Sequence, residues 1–226
     1  MPYIEVVKKG FDNKSTDEAY KRLRANLSFC GNDIKVIDVT STQSNEGKSV
    51  VAFNLAYTLA FSGRRTIYID ADLRNSVTLA RYKIPGDVKG LTDYLVSNEA
   101  LENVLCNTNI PNLDMILTGP MPPNPVELLE NAEFADMLGL LRKLYDYVII
   151  DTPPVGKVID AVVVGRNCDG TVIVVAKDEV STKALRRVKA QLNKANCKIL
   201  GAVFNKVESK EISYKGGVYG EYGKQQ

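Results

Sequence analysis

Residues 39–56 read VTSTQSNEGKSVVAFNLA, a Gly-Lys-Ser triplet between an apolar run and an apolar helical pattern. In that setting Lys48 can reach the β and γ phosphates of a nucleotide, and Ser49 can offer its hydroxyl to Mg²⁺. Backbone N–H groups in the turn and at the helix start would hold the phosphates, aided by the helix dipole. The usual GxxxxGK[ST] frame has glycine at both ends, whereas the first position here is Thr42. Asn45 stands where a glycine is common, and Asn tolerates left-handed backbone better than other non-glycine residues. One glycine, Gly47, can therefore suffice. The alternative for the triplet alone is a strand-turn-helix corner with no ligand.

Two further stretches, TIYIDADLR from Thr66 and YVIIDTPP from Tyr147, are apolar strands ending in Asp. Ligands of open α/β sheets bind beyond the carboxyl ends of the strands, so Asp70, Asp72 and Asp151 should converge on Lys48. Carboxylate and hydroxyl oxygens suit Mg²⁺ carried by a nucleotide. Each Asp taken alone could equally be a turn former; three such elements in one order point to a site. The chain has no His, which removes Ser-His, Cys-His and most metal-hydrolase mechanisms.

The elements that must position these groups follow from periodicity. Near-continuous apolar runs at 35–40, 66–70, 113–117, 147–151, 171–176 and 199–204 read as buried parallel strands. Helical patterns lie between them: one from Ser15, where Ser15 and Glu18 form a capping box, with Ala19, Leu23, Leu27 and Cys30 as its apolar face. Others span about 48–62, ended by Gly63, then 125–144 and 181–194. The expectation is an α/β domain over residues 1–205, a mostly parallel sheet with helices on both faces. After Asn205 the periodicity stops. The last 17 residues, KEISYKGGVYGEYGKQQ, place Tyr214, Tyr219 and Tyr222 among four glycines. That composition predicts a flexible tail over 206–226.

Composition bounds the rest. The 226 residues suffice for one domain, and no apolar run approaches the roughly 20 residues of a membrane span. No signal peptide is read at the start. A net charge of +2 with interspersed signs gives no case for nucleic acid or anionic lipid, so membrane association would need a partner. Four separated cysteines with no CxxC read as reduced thiols of the cytosol.

On these residues the chain resembles the bacterial tyrosine kinases of capsule and exopolysaccharide synthesis. It is most similar to the Gram-positive form whose cytosolic kinase is separate from its membrane activator. The family's Walker A, A′ and B elements match Gln43 to Val50 (QSNEGKSV), Ile67 to Arg74 (IYIDADLR) and Val148 to Pro154 (VIIDTPP). The apolar-DxDxR form of A′ is the most specific, and GPMPPNPVELL at Gly119 to Leu129 is similar to another family segment.

The resemblance implies a phosphate-loop fold of the partition-ATPase branch, with ATP and Mg²⁺ as cofactors. It implies nucleotide binding by Gln43, Ser44, Asn45, Glu46, Gly47, Lys48, Ser49 and Val50, with Asn205 at adenine. Ser49, Asp72 and Asp151 would complete the metal site, and Asp70 would take the hydrogen bond of an incoming tyrosine hydroxyl. Arg74 would either stabilise phosphate charge or structure the acidic loop. Tyr214, Tyr219 and Tyr222 would be autophosphorylated in trans within a ring. The family's ExxRxxR interface motif appears as Glu18, Lys21 and Arg24. Partners so implied are a membrane-bound polysaccharide co-polymerase-type activator, which would hold the kinase at the inner face of the membrane, further copies of the chain, and a cognate tyrosine phosphatase. Two rivals remain: a Par- or Min-like ATPase switch, whose signature Lys is replaced by Gln43, and a non-catalytic nucleotide-binding adaptor.

Overall fold

The computed structural model describes residues 1–7, 14–84, 87–97 and 99–207. In chain order the strands are β1 (Tyr3–Ile4), β2 (Val36–Ser41), β3 (Thr66–Asp70), β4 (Leu105–Thr108), β5 (Leu113–Ile116), β6 (Tyr147–Asp151), β7 (Gly170–Ala176) and β8 (Ile199–Asn205). The helices are α1 (Lys14–Ser28), α2 (Lys48–Phe61), α3 (Thr78–Tyr82), α4 (Leu91–Ser97), α5 (Leu101–Val104), α6 (Pro125–Glu130), α7 (Ala132–Leu144), α8 (Asp160–Gly165) and α9 (Thr182–Lys194).

Strand alternation divides each central strand between two cores. Ile37, Val39, Tyr68, Ile149, Val172 and Val174 face the cluster built on α1 and α2. Val36, Ile67, Ile69, Val148 and Ile150 face the cluster of α4, α6 and α7, while Ile173 and Val175 meet α8 and α9. Helices therefore cover both faces, as near-continuous apolar strands require. The strands order β1-β4-β5-β3-β6-β2-β7-β8, and all pairs are parallel except β4 with β5. Helix α2 is apolar nearly all round because it lies between sheet and α1. Its Phe53 stacks on Tyr82, ring centroids 4.0 Å apart, and meets Tyr68 edge-on at 5.8 Å.

Several expectations change. The pattern read as one helix over 125–144 is two, because Asn131 is extended (φ −64°, ψ 151°) and serves both as the end of α6 and as the cap of α7. The break lets Leu129 and Phe134 both reach full burial. Helix α1 begins at Lys14, so Ser15 lies inside its first turn rather than at the cap. Tyr20 is buried on the face assigned to Ala19, which is exposed. The short β1, β4, α3, α4, α5 and α8 escaped periodicity because a few residues span too little of either period. The helix expected over 181–194 forms as α9, with Ser181 as its cap: Ser181 Oγ accepts from the Ala184 N–H at 3.2 Å. The expected tail falls outside the described residues from 208 onward. No helix among the described residues is long and apolar enough to cross a membrane.

Candidate functional site

Sheet register brings the acidic residues together. Asp70 and Asp151 are direct partners at the carboxyl ends of β3 and β6, and β6 is also paired to β2, whose end feeds the phosphate loop. The loop is fastened from within. Glu46 is fully buried; its carboxylate accepts from the Thr42 hydroxyl (2.7 Å), the Gln43 N–H (2.6 Å) and the Ala176 N–H of β7 (3.1 Å). The Gln43 amide donates outward to the Glu179 carbonyl at 2.9 Å. The side chains of Gln43 and Glu46 thus shape the loop, while Ser44, Asn45, Gly47, Lys48, Ser49 and Val50 line the cavity.

Asn45 adopts left-handed backbone at φ 69°, as its residue type allows. Gly47, at φ 88°, caps α2, and an added Cβ would overlap Asn205 Nδ2. Asn205 donates that amide to the Glu46 carbonyl at 2.8 Å. The end of β8 therefore reaches the loop, and the positive φ is what favours the single glycine there.

Lys48 is nearly enclosed. Its ammonium lies 2.8 Å from Asp72 Oδ2, 3.4 Å from Asp151 Oδ1 and 3.3 Å from Ser49 Oγ. Burial works against its charge, but Asp151 and Asp72 outweigh it and hold the ammonium above its usual range. Burial pushes the Asp151 carboxyl up to about 6 against the pull of Lys48. The Tyr68 hydroxyl donates to the other Asp151 oxygen at 3.3 Å. Asp70 is fully buried, which raises its carboxyl; the Ser76 hydroxyl and the Asp72 N–H donate to it.

Arg74 points across the cavity wall to α8. Its Nε and Nη2 donate to Asp160 Oδ1 and Oδ2 at 2.7 and 3.3 Å, and Asp160 is fully buried. This ion pair ties the acidic loop after β3 to the start of α8. Asp160 was missed in the sequence; no strand end or motif marks it, and only the fold brings it to Arg74. On α1, Glu18 lies 4.0 Å from Arg22, Lys21 is exposed and Arg24 is half-buried. Tyr214, Tyr219 and Tyr222 lie outside the described residues.

The resulting cavity has a volume of about 490 Å³, with Lys48, Ser49 and Asp72 at its floor and Asn205 at one side. Such a pocket, at the carboxyl edge of a parallel sheet and against a helix N-terminus, defines a phosphate-loop nucleotide-binding protein. The hard oxygen donors of Ser49, Asp72 and Asp151 fit Mg²⁺, which takes one or two carboxylates and completes its shell with water and phosphate. Among the described residues no cluster of three acidic, His or Cys groups would hold a metal alone.

Comparison with known proteins agrees. The AAA domain model matches residues 34–201. MinD of Pyrococcus horikoshii, solved with Mg-ADP, shares the fold at TM-score 0.65 and 22% identity, covering 76% of this chain and 70% of that one. The kinase domain of Escherichia coli tyrosine kinase ETK superposes at TM-score 0.84 and 27% identity, covering 100% of this chain and 94% of that one. Tyrosine-protein kinase CpsD of Streptococcus agalactiae is 41% identical over 225 residues, 99% of this chain and 97% of the relative. The chain belongs to the bacterial tyrosine-protein kinase family.

Proposed function

We propose that the chain is an ATP-dependent protein-tyrosine kinase that phosphorylates Tyr214, Tyr219 and Tyr222, in trans within an oligomer, and so regulates capsule or exopolysaccharide synthesis. The observation that carries the reading is Lys48 held between Asp72 and Asp151 at the floor of a nucleotide-sized cavity. Lys48 would exchange these carboxylates for the β and γ phosphates, and Ser49, Asp72 and Asp151 would hold Mg²⁺. When bound, that ion would neutralise charge on the transferring group. The first-turn N–H groups of α2, which have no helical acceptor, would hold phosphate oxygens. Asn205 would meet the adenine from the end of β8.

The tyrosine oxygen would form its bond to the γ phosphorus as the bond to the β–γ bridging oxygen breaks, and ADP would leave with that electron pair. The hydroxyl proton would pass to Asp70. Ser76 already places a hydroxyl on this carboxylate, the position an acceptor tyrosine would take. Burial keeps Asp70 a better proton acceptor than an exposed Asp.

Glu18, Lys21 and Arg24 would form one side of the subunit contact. Residues 206–226 hold four Lys and three Glu, and three phosphotyrosines would add about −5 to −6, reversing the tail's charge and loosening the oligomer. A membrane-bound co-polymerase-type activator would recruit the kinase, and a tyrosine phosphatase would reset it. The partition-type switch is disfavoured because the place of its trans-acting Lys is Gln43, whose amide is turned to Glu179.

Intact-mass spectrometry after incubation with ATP and Mg²⁺ tests the reading. Steps of one phosphate, absent from Asp70→Asn and from the triple Tyr→Phe tail variant, are expected. ADP release without added mass would move the assignment to the partition-type ATPase.

A further inference from the structure

Among the described residues five cations line the cavity, and three of them already have acidic partners. Lys48 is paired with Asp72 and Asp151, Arg74 with Asp160, and Lys206 with Glu179 at 2.7 Å. Arg81 and Lys157 are exposed and make no ion pair among the described residues. They do not come from the phosphate loop. Arg81 stands on α3, just beyond the loop of Asp70 and Asp72, and Lys157 follows the Asp151-Thr-Pro-Pro turn. The lining of the same cavity also includes Val77, Pro153, Pro154 and Val158, apolar groups against which an aromatic ring can pack.

We propose that Arg81 and Lys157 form an anion subsite that holds a glutamate carboxylate flanking the acceptor tyrosine. The inference rests on the reading that the tail tyrosines accept phosphate, and it adds how they are chosen. Glu221 directly precedes Tyr222, and Glu211 stands three residues before Tyr214. In extended chain these separations are about 3 to 10 Å, which Arg and Lys side chains span. The tyrosine ring would rest on the valine and proline wall with its hydroxyl toward Asp70. The carboxylate would meet the guanidinium of Arg81, whose fork suits bidentate contact. The nucleotide phosphates would be held by Lys48 and the α2 N-terminus, which leaves these two cations for the acceptor.

A double-mutant cycle in the full chain tests this, with phosphate incorporation followed by mass at saturating ATP. Arg81→Gln with Lys157→Gln should lower the initial rate about tenfold, the order expected for a charge-recognition contact, with the ATP KM unchanged. Glu211→Gln with Glu221→Gln should cause a similar loss. Combining all four should add little, because each pair removes the same contact. A several-fold rise in the ATP KM would assign the cations to the nucleotide and overturn the subsite. Losses that multiply to about a hundredfold would overturn it as well, since independent sites multiply. If the unaltered chain released ADP without gaining mass, the kinase reading itself would fail and the subsite with it.

Discussion

The guanidinium of Arg74 and the buried carboxylate of Asp160 form a two-point ion pair at 2.7 and 3.3 Å, joining the acidic loop after β3 to the start of α8. Asp72 lies two residues from Arg74 and holds Lys48, so the pair sets where the loop stands relative to the phosphate lysine.

Asp160→Asn should therefore lower both stability and turnover. Breaking a fully buried pair costs about 3–5 kcal/mol; with Arg74 partly exposed, a loss of about 1–3 kcal/mol in urea unfolding is expected. Arg74→Lys should recover charge but not the fork, restoring only part of the autophosphorylation rate. Wild-type activity in Arg74→Lys would show that the two-point geometry is dispensable.

Gly47→Ala tests the contact between loop and β8. The added methyl meets Asn205 Nδ2 and must also sit at φ 88°, so nucleotide affinity should fall at least about tenfold. Titration with a fluorescent ATP analogue would measure it. Gly47→Ala combined with Asn205→Ala should relieve the clash but not the backbone strain.

Asp38 supplies a pH-dependent expectation. It is fully buried in β2, its Oδ1 accepts from the Thr152 hydroxyl at 2.6 Å, and its Oδ2 has no hydrogen-bond partner among the described residues. Burial raises its carboxyl to about 7, partly opposed by Thr152. Because the folded value lies above the unfolded one, this carboxyl favours folding at low pH, and that contribution is lost as pH rises from about 4 through about 7. Asp38→Asn should leave stability near pH 4 almost unchanged and raise it at pH 8 by at least about 1–2 kcal/mol. Denaturant melts at both values decide: an equal change at each would sink the account.

Ser76 occupies the place proposed for the acceptor hydroxyl. Ser76→Ala removes a competitor for Asp70 without touching the nucleotide cavity floor. The tail should then be phosphorylated as fast or faster, whereas Asp70→Asn should slow transfer about 10²- to 10⁴-fold, the range for a lost proton acceptor. Phosphate incorporation by quenched time course would distinguish them; a Ser76→Ala chain as slow as Asp70→Asn would mean that Ser76 itself takes part.

Much of this protein was legible in the order of its residues. The central strands follow from runs such as YVIID, because a strand buried on both faces needs apolar residues throughout. The convergence of Lys48, Asp72 and Asp151 follows from strand ends alone, because parallel strands all finish on one edge of the sheet. Periodicity could not show β4, which runs antiparallel to β5, or the division at Asn131, since both depend on what packs beside a few residues. Glu46 as the strut of the phosphate loop, Asn205 against Gly47 and Asp160 against Arg74 are decided by tertiary structure. Their partners are 130, 158 and 86 residues away, and no local pattern encodes a contact that only the closed sheet brings within hydrogen-bonding distance.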